Sequence, residues 1–355
     1  MSTERHQAQL YVQRHALDLS VELPFLTVPR NKREVMVLGV PCAGGQIFWG
    51  EVAPLPGFSR ESLDDAEREL RDVLPRVPVL DHTALSDISA WESLIAEVRS
   101  PALRCGFEGA LLEYLMSHDS WALSHIIHQT ILSNALIVAK TEDEAVERIA
   151  EAERRGFRSI KLKVTPESWR AVVSAMKRSR NRGDSEVSFR LDGNRSLSRG
   201  EFEELAEQSS ELPIEYVEEP LRDIQDIPHV ITSTSLSLAL DETAREVSRD
   251  QWQAWGIRHV VLKPALQGGW ISLGSEIRAL EREGITVTLS SSFESGLGLR
   301  SIVLMAALHE TSSPIGVDTA SFMNRDLVAP RFPVNSPVLD VETIRKLEYV
   351  GRGAV

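Results

Sequence analysis

From about Ser133 onward, short apolar runs alternate with longer polar stretches in which apolar residues recur at helical spacing. The first run is Ala135–Ala139. Thr141 followed by three acids opens a predicted helix that runs to about Arg155 and stops at Gly156. Further runs follow at Ser159–Val164, Val187–Asp192, Ile214–Glu218, Leu236–Asp241, His259–Lys263, Ile285–Ser290 and Pro314–Asp318. Helices are predicted between them, one from about Pro166 to Arg180, one from near Ser198, and a short one after the fourth run. Eight such units, spaced by roughly 22–30 residues, suit a strand, a helix and a right-handed crossover. The pattern therefore predicts an α/β fold, a closed (β/α)8 TIM-type barrel. An open doubly wound sheet usually carries a glycine-rich phosphate fingerprint after an early strand. The chain has no G-x-G-x-x-G and no P-loop; Gly296-Leu297-Gly298 is a lone G-x-G.

The first hundred residues lack this alternation. They hold β-type runs at Glu34–Leu38 and Gln46–Val52 and an acidic helical stretch at about Glu61–Leu74. This predicts a separate α+β domain over residues 1–105, with a helix from Ala110 to Ile131 leading into a barrel over 106–319. The tail, 320–355, has no further βα unit and is expected to return to the first domain.

Composition narrows the function. Of 355 residues, 42% are hydrophobic and 26% charged, which is globular rather than disordered. No apolar run reaches the 18–20 residues of a membrane span, and the charged start of the chain does not read as a secretory signal. A net charge of −13 repels nucleic acid. Two cysteines, Cys42 and Cys105, form no disulfide framework or metal spacing and suit the cytoplasm.

The candidate chemistry lies at the predicted strand ends, where an α/β barrel carries its active site. Strand two ends in Lys161 and Lys163, strand three in Arg190, Asp192 and Asn194, strand four in Glu218, strand five in Asp241, strand six in Lys263, and strand seven in a serine run. A single charge at a strand end is usually a solvated loop residue, but a series on consecutive strands is not so easily explained. Period-two spacing puts Lys161 with Lys163, and Arg190 with Asp192 and Asn194, on one face. Asp192, Glu218 and Asp241 on adjacent strands would repel one another unless a cation neutralises them. An all-oxygen donor set selects Mg²⁺, or Mn²⁺, over Zn²⁺. Lysines on both sides of such an ion suit removal of a weakly acidic proton beside a carboxylate. His125 and His128 fall in an apolar helical run and read as a packed helix face, and Ser290–Ser292 has no nucleophile elbow around it.

These residues resemble a known family. Lys161-Leu162-Lys163, Leu191-Asp192-Gly193-Asn194, Val217-Glu218-Glu219-Pro220, Leu240-Asp241-Glu242 and Leu262-Lys263-Pro264 are similar to the motifs of the enolase superfamily, in its muconate-lactonising-enzyme-like subgroup. The stretches Trp49–Ser59 (WGEVAPLPGFS) and Leu289–Gly298 (LSSSFESGLG) most resemble the o-succinylbenzoate synthases of that subgroup. The resemblance implies an enolase-like capping domain on the barrel and Mg²⁺ held by Asp192, Glu218 and Asp241. It implies Lys163 as general base and then acid, Lys263 facing the enediolate from the other side, and Lys161 holding a substrate carboxylate. Arg190 and Asn194 would line the site. Ser290, Ser291 and Gly316 would meet a succinyl arm largely through backbone groups, under a lid at Pro54–Ser59. The implied reaction is dehydration of a cyclohexadiene carboxylate to an aromatic acid on the way to menaquinone. An N-acylamino-acid racemase or dipeptide epimerase would use the same lysines. A non-catalytic, metal-stabilised binding barrel is the alternative of another class, and it would have no use for a base.

Overall fold

The computed structural model describes residues 10–20, 31–78, 80, 85–118, 124, 126–181 and 186–351. His125 lies outside them; His128 falls in a turn. Three antiparallel strands, β1 (Tyr11–Asp18), β2 (Lys32–Pro41) and β3 (Ile47–Val52), form a first sheet in the order β1-β2-β3. On β2, Met36, Leu38 and Val40 face one way, into a cluster with α1 (Leu63–Val73), α2 (Leu85–Glu97) and α3 (Pro101–His118). Val35 and Val37 face the other way and join the cluster that fills the barrel side. Both faces of β2 are buried, so it reads as a nearly unbroken apolar run.

Helix α3 starts nine residues before the predicted Ala110 and does not reach Ile131, which lies in β4 (Thr130–Leu132). Pro101 suits a first helical turn, and the Ser100 hydroxyl accepts from the Leu103 N–H at 3.1 Å. The helix lies directly on β3: a Cβ on Gly50 would sit 1.8 Å from the Gly106 carbonyl oxygen. Strand β1 carries no clear alternation in sequence; it mixes polar and apolar residues at a sheet edge, with Tyr11 and Val12 exposed and Leu17 buried.

The second sheet is parallel and curls through β5 (Ala135–Ile137), β6 (Ser159–Lys163), β7 (Ser188–Asp192), β8 (Ile214–Glu218), β9 (Leu238–Leu240), β10 (His259–Leu262) and β11 (Thr286–Leu289), neighbours in that order. Its helices begin where the caps predict. Thr141 caps α4 (Glu142–Arg154), which ends ahead of Gly156 at φ +90°; Ser198 and Glu201 form a capping box on α6 (Arg199–Gln208), which follows α5 (Trp169–Arg180). The remaining outer helices are α7 (Ile227–Ser233), α8 (Arg249–Trp255), α9 (Pro264–Gln267), α10 (Trp270–Arg282) and α11 (Gly296–Leu308).

The predicted eighth strand is reduced to two parallel bridges, Ser133 with Ile315 and Ser290 with Gly316. The Asp318 carboxylate takes over part of the missing ladder, accepting from the Leu136 N–H at 3.0 Å. The fold is thus an enolase-type α/β barrel with an N-terminal α+β cap. In the tail, β13 (Val338–Asp340) pairs with β4, and β14 (Glu348–Tyr349) pairs with β12 (Val328–Ala329). The Tyr349 ring lies 4.5 Å from Trp49, and its hydroxyl is 2.8 Å from His15 Nε2 on the first sheet. Among the described residues no helix is long and apolar enough to cross a membrane.

Candidate active site

Strand register brings the polar strand ends together. Lys163 pairs with Asp192, and Asp192 with Glu218, across β6, β7 and β8. A cavity at the strand ends is lined by Lys161, Lys163, Asp192, Asn194, Lys263, Ser290, Ser291 and Gly316. Leu55 and Phe58, from the expected lid, close it, together with Leu136, Phe293, Asp318 and Thr319. The Lys263 ammonium lies 5.7 Å from the Phe58 ring centroid.

Lys161 Nζ donates to Asp192 Oδ2 at 2.8 Å and to Glu218 Oε2 at 2.6 Å. Lys163 Nζ reaches the same Asp192 oxygen at 2.7 Å and also donates to Asn194 Oδ1. Lys263 pairs with Asp241. In strand order, Lys163 and Lys263 flank the three acid-bearing strands. Glu219 sets the last acid in place: Oε1 accepts the N–H groups of Asp241 and Thr243, both at 2.8 Å. At the β7 end a Cβ on Gly193 would lie 2.7 Å from Pro220 Cα, so only glycine lets the two strand ends approach.

Burial and mutual charge separate these groups. Burial pushes Asp192 upward, but the ammonium groups of Lys161 and Lys163 outweigh it and hold its carboxyl well below the usual range. Burial, reinforced by the neighbouring Asp192 charge, raises Glu218 to about 7. Burial raises Asp241 to about 6 despite Lys263. Lys161 and Lys263 are raised, because their carboxylates overcome burial. Lys163 is lowered: burial dominates, and Lys161 and Lys263 add cationic repulsion. Of the three amines, this one is pushed toward its neutral, basic form.

The expected three-carboxylate cluster is not ready-made. Among the described residues no three His, Cys, Asp or Glu groups gather closely enough to hold an ion. Buried carboxylates require compensating charge, and here ammonium groups supply it, with Lys161 set between Asp192 and Glu218. The donor chemistry nonetheless fits a hard divalent cation. The three acids offer only oxygen, Glu218 Oε1 is buried with no hydrogen-bond partner, and Glu218 and Asp241 are left short of positive charge.

Two further expectations need correction. Arg190 does not line the cavity. It lies two residues below Asp192, and its guanidinium donates to Glu215 at 2.6 Å, Asn134 at 3.1 Å, Ser313 at 2.9 Å and the Pro314 carbonyl at 2.6 Å. It holds the barrel interior together beneath the site. The backbone N–H groups of Ser290, Ser291 and Gly316 are also committed, to the carbonyls of Leu262, Gly316 and Leu289 that close the barrel. What the two serines offer the cavity is hydroxyl; that of Ser291 already lies 2.6 Å from Thr319 Oγ1.

Residues 144–344 match the family model described as "Enolase C-terminal domain-like", and residues 5–90 match "MenC, N-terminal domain". The chain belongs to the enolase superfamily. It is similar to the o-succinylbenzoate synthase of Klebsiella pneumoniae (strain 342), 26% identical over 311 residues that cover 84% of this chain and 87% of that one. It is 30% identical over 311 residues to "Protein PHYLLO, chloroplastic" of Arabidopsis thaliana; these are 78% of this chain but only 18% of that longer protein. In fold it is similar to the L-Ala-D/L-Glu epimerase from Bacillus subtilis, with TM-score 0.81, 18% identity, and 94% and 95% of the two chains covered.

Proposed function

We propose that this chain is an o-succinylbenzoate synthase. It dehydrates 2-succinyl-6-hydroxy-2,4-cyclohexadiene-1-carboxylate to o-succinylbenzoate and water, in the cytoplasm, as a step toward menaquinone. The observation that carries the reading is the pair of amines, Lys163 and Lys263, facing one cavity from either side of three acid-bearing strands. That arrangement suits removing a proton from the carbon beside a carboxylate.

In this reading Lys163 takes the proton from the ring carbon that bears the carboxylate. The electron pair passes into an enediolate, and Lys263 on the opposite side offsets its charge. Lys163, now an ammonium, returns a proton to the departing ring hydroxyl; the C–O bond breaks, water leaves and the ring becomes aromatic. Lys161 holds the substrate carboxylate, Asn194 lines the site, and Leu55 and Phe58 exclude water. Asp192, Glu218 and Asp241 would hold Mg²⁺ or Mn²⁺, which when bound supplies positive charge to the carboxylate as the proton leaves. In this reading the cap comprises residues 1–105 with the tail 320–355, and the barrel 106–319, α3 (Pro101–His118) running across the boundary and packing on the cap.

The likeness to o-succinylbenzoate synthases over most of the chain and the N-terminal family match both support the lyase. A second reading, racemisation of an N-acylamino acid or epimerisation of a dipeptide, draws on the fold neighbour, since both reactions begin with the same proton abstraction. The test is an ultraviolet assay of the purified protein with the cyclohexadiene substrate, the product identified by NMR. Formation of o-succinylbenzoate supports the proposal; an inert substrate defeats it.

A further inference from the structure

Arg33, the second residue of β2, is buried, at 3% exposure. Its guanidinium serves backbone carbonyls from two distant segments. Toward the root of the lid, Nη1 donates to the Pro54 oxygen at 2.8 Å and Nη2 to the Ala53 oxygen at 2.6 Å. Toward the turn after β11, Nε donates to the Phe293 oxygen at 3.1 Å and Nη2 to the Ser292 oxygen at 3.4 Å. A planar fork of fixed donors spans both segments; a lysine ammonium, a single point, does not.

Both segments run directly into the cavity wall. Leu55 follows Pro54, and Leu55 and Phe293 both line the cavity. Phe293 has φ +62°, a left-handed conformation that a bulky aromatic residue adopts only under constraint. The same two segments are tied again by Glu51, which accepts from the N–H groups of Ser295 at 2.9 Å and Gly298 at 3.0 Å at the start of α11. Arg33 and Glu51 thus bracket the Phe293 turn from the first sheet.

We propose that Arg33 is a positioning residue: it fixes the lid root against the Phe293 turn, so that Leu55 and Phe293 form one rigid wall that the organic body of the substrate packs against. The inference rests on the cavity being the substrate site, as proposed above. Arg33 touches no reacting atom, so its loss acts on binding rather than on proton transfer.

The test is a double-mutant cycle of Arg33→Lys and Phe293→Leu, with KM and kcat measured on whichever substrate the wild type turns over, and a crystal structure of Arg33→Lys. Each single variant is expected to raise KM about tenfold with kcat within about threefold, and the double to be little worse than either, because the arginine acts through the phenylalanine. The crystal structure should show Phe293 relaxed to negative φ. Additive effects, a kcat loss at unchanged KM, or a retained positive φ would overturn the proposal. Phe293→Leu leaves the clasp intact and decides alone if Arg33→Lys does not fold: an unchanged KM overturns the wall. A wild type inert toward both substrate classes refutes the reading of the site instead, and the φ of Phe293 in Arg33→Lys still tests the clasp.

Discussion

Replacing Lys163 by alanine separates chemistry from folding in this site. The amine contacts Asp192 at 2.7 Å, but Asp192 keeps its 2.8 Å bond to Lys161 when Lys163 is gone. No buried charge is orphaned, so the variant should fold, with a melting temperature within about 3 °C of wild type at roughly 1 kcal/mol per 1.3 °C for a chain of this length. The catalytic loss should be large. A positioned general base contributes about 10²–10⁴ in rate. The upper end is expected here, because Leu55 and Phe58 cover the cavity and hinder solvent from replacing the amine. The expected fall in kcat is about 10⁴, or about 5 kcal/mol at 1.36 kcal/mol per decade. Lys163→Arg keeps the positive charge but cannot accept a proton, and should be as inactive. Turnover by the ultraviolet assay at saturating substrate, with melting curves alongside, reads both quantities. A kcat loss below about 10² in Lys163→Ala would refute the assignment of the base.

Three other outcomes follow from the same geometry. Lys161→Met leaves Glu218 without its ammonium partner; an unpaired buried charge costs up to about 3–5 kcal/mol, less where Glu218, already raised to about 7, takes up a proton instead, so at pH 8 the melting temperature should fall by up to about 4–7 °C in EDTA, and added Mg²⁺ should restore more of it than it adds to wild type. Equal Mg²⁺ effects in both proteins would remove Asp192 and Glu218 from the ion's site. Chelation with EDTA should abolish turnover and Mg²⁺ or Mn²⁺ should restore it; indifference to chelation would refute the metal's role. Glu294 is raised to about 7 by burial and by the charge of Glu51. An acid raised on folding keeps its proton in the native state while the unfolded chain, near 4.5, loses it; stability therefore falls as pH rises from about 4.5 to 7 and stays low above, by on the order of 3 kcal/mol. Glu294→Gln should be more stable than wild type at pH 8, with the advantage shrinking toward pH 5 in urea titrations; a pH-independent difference would contradict this.

Much of the barrel is legible from sequence because its strands are buried on both faces and its helices begin at strong caps. Ile160, Leu162 and Leu191 are fully buried, and Thr141 and Ser198 cap where they stand in the sequence pattern. The row of strand-end charges is legible because inward-facing residues recur at period two. Depth is not: Arg190 shares a face with Asp192 but sits one layer, about 6–7 Å, deeper, where its donors are consumed by the barrel wall. The eighth strand overstates itself in sequence, since its pairing shrinks to two bridges and the Asp318 carboxylate substitutes for part of a ladder. Strand β1 is silent because this edge strand mixes polar and apolar residues without alternation. Phe293 and Arg33 escape notice because their contact joins residues 260 positions apart, and Thr319 because its hydroxyl meets Ser291 only once the barrel closes.

The lyase reading is tested most directly by measuring kcat/KM for the cyclohexadiene carboxylate beside N-succinylamino acids, with one Mg²⁺-loaded preparation. The account predicts efficient dehydration of the cyclohexadiene, with racemisation absent or far slower. Efficient racemisation with no dehydration would contradict it and move the lysine pair to an isomerase.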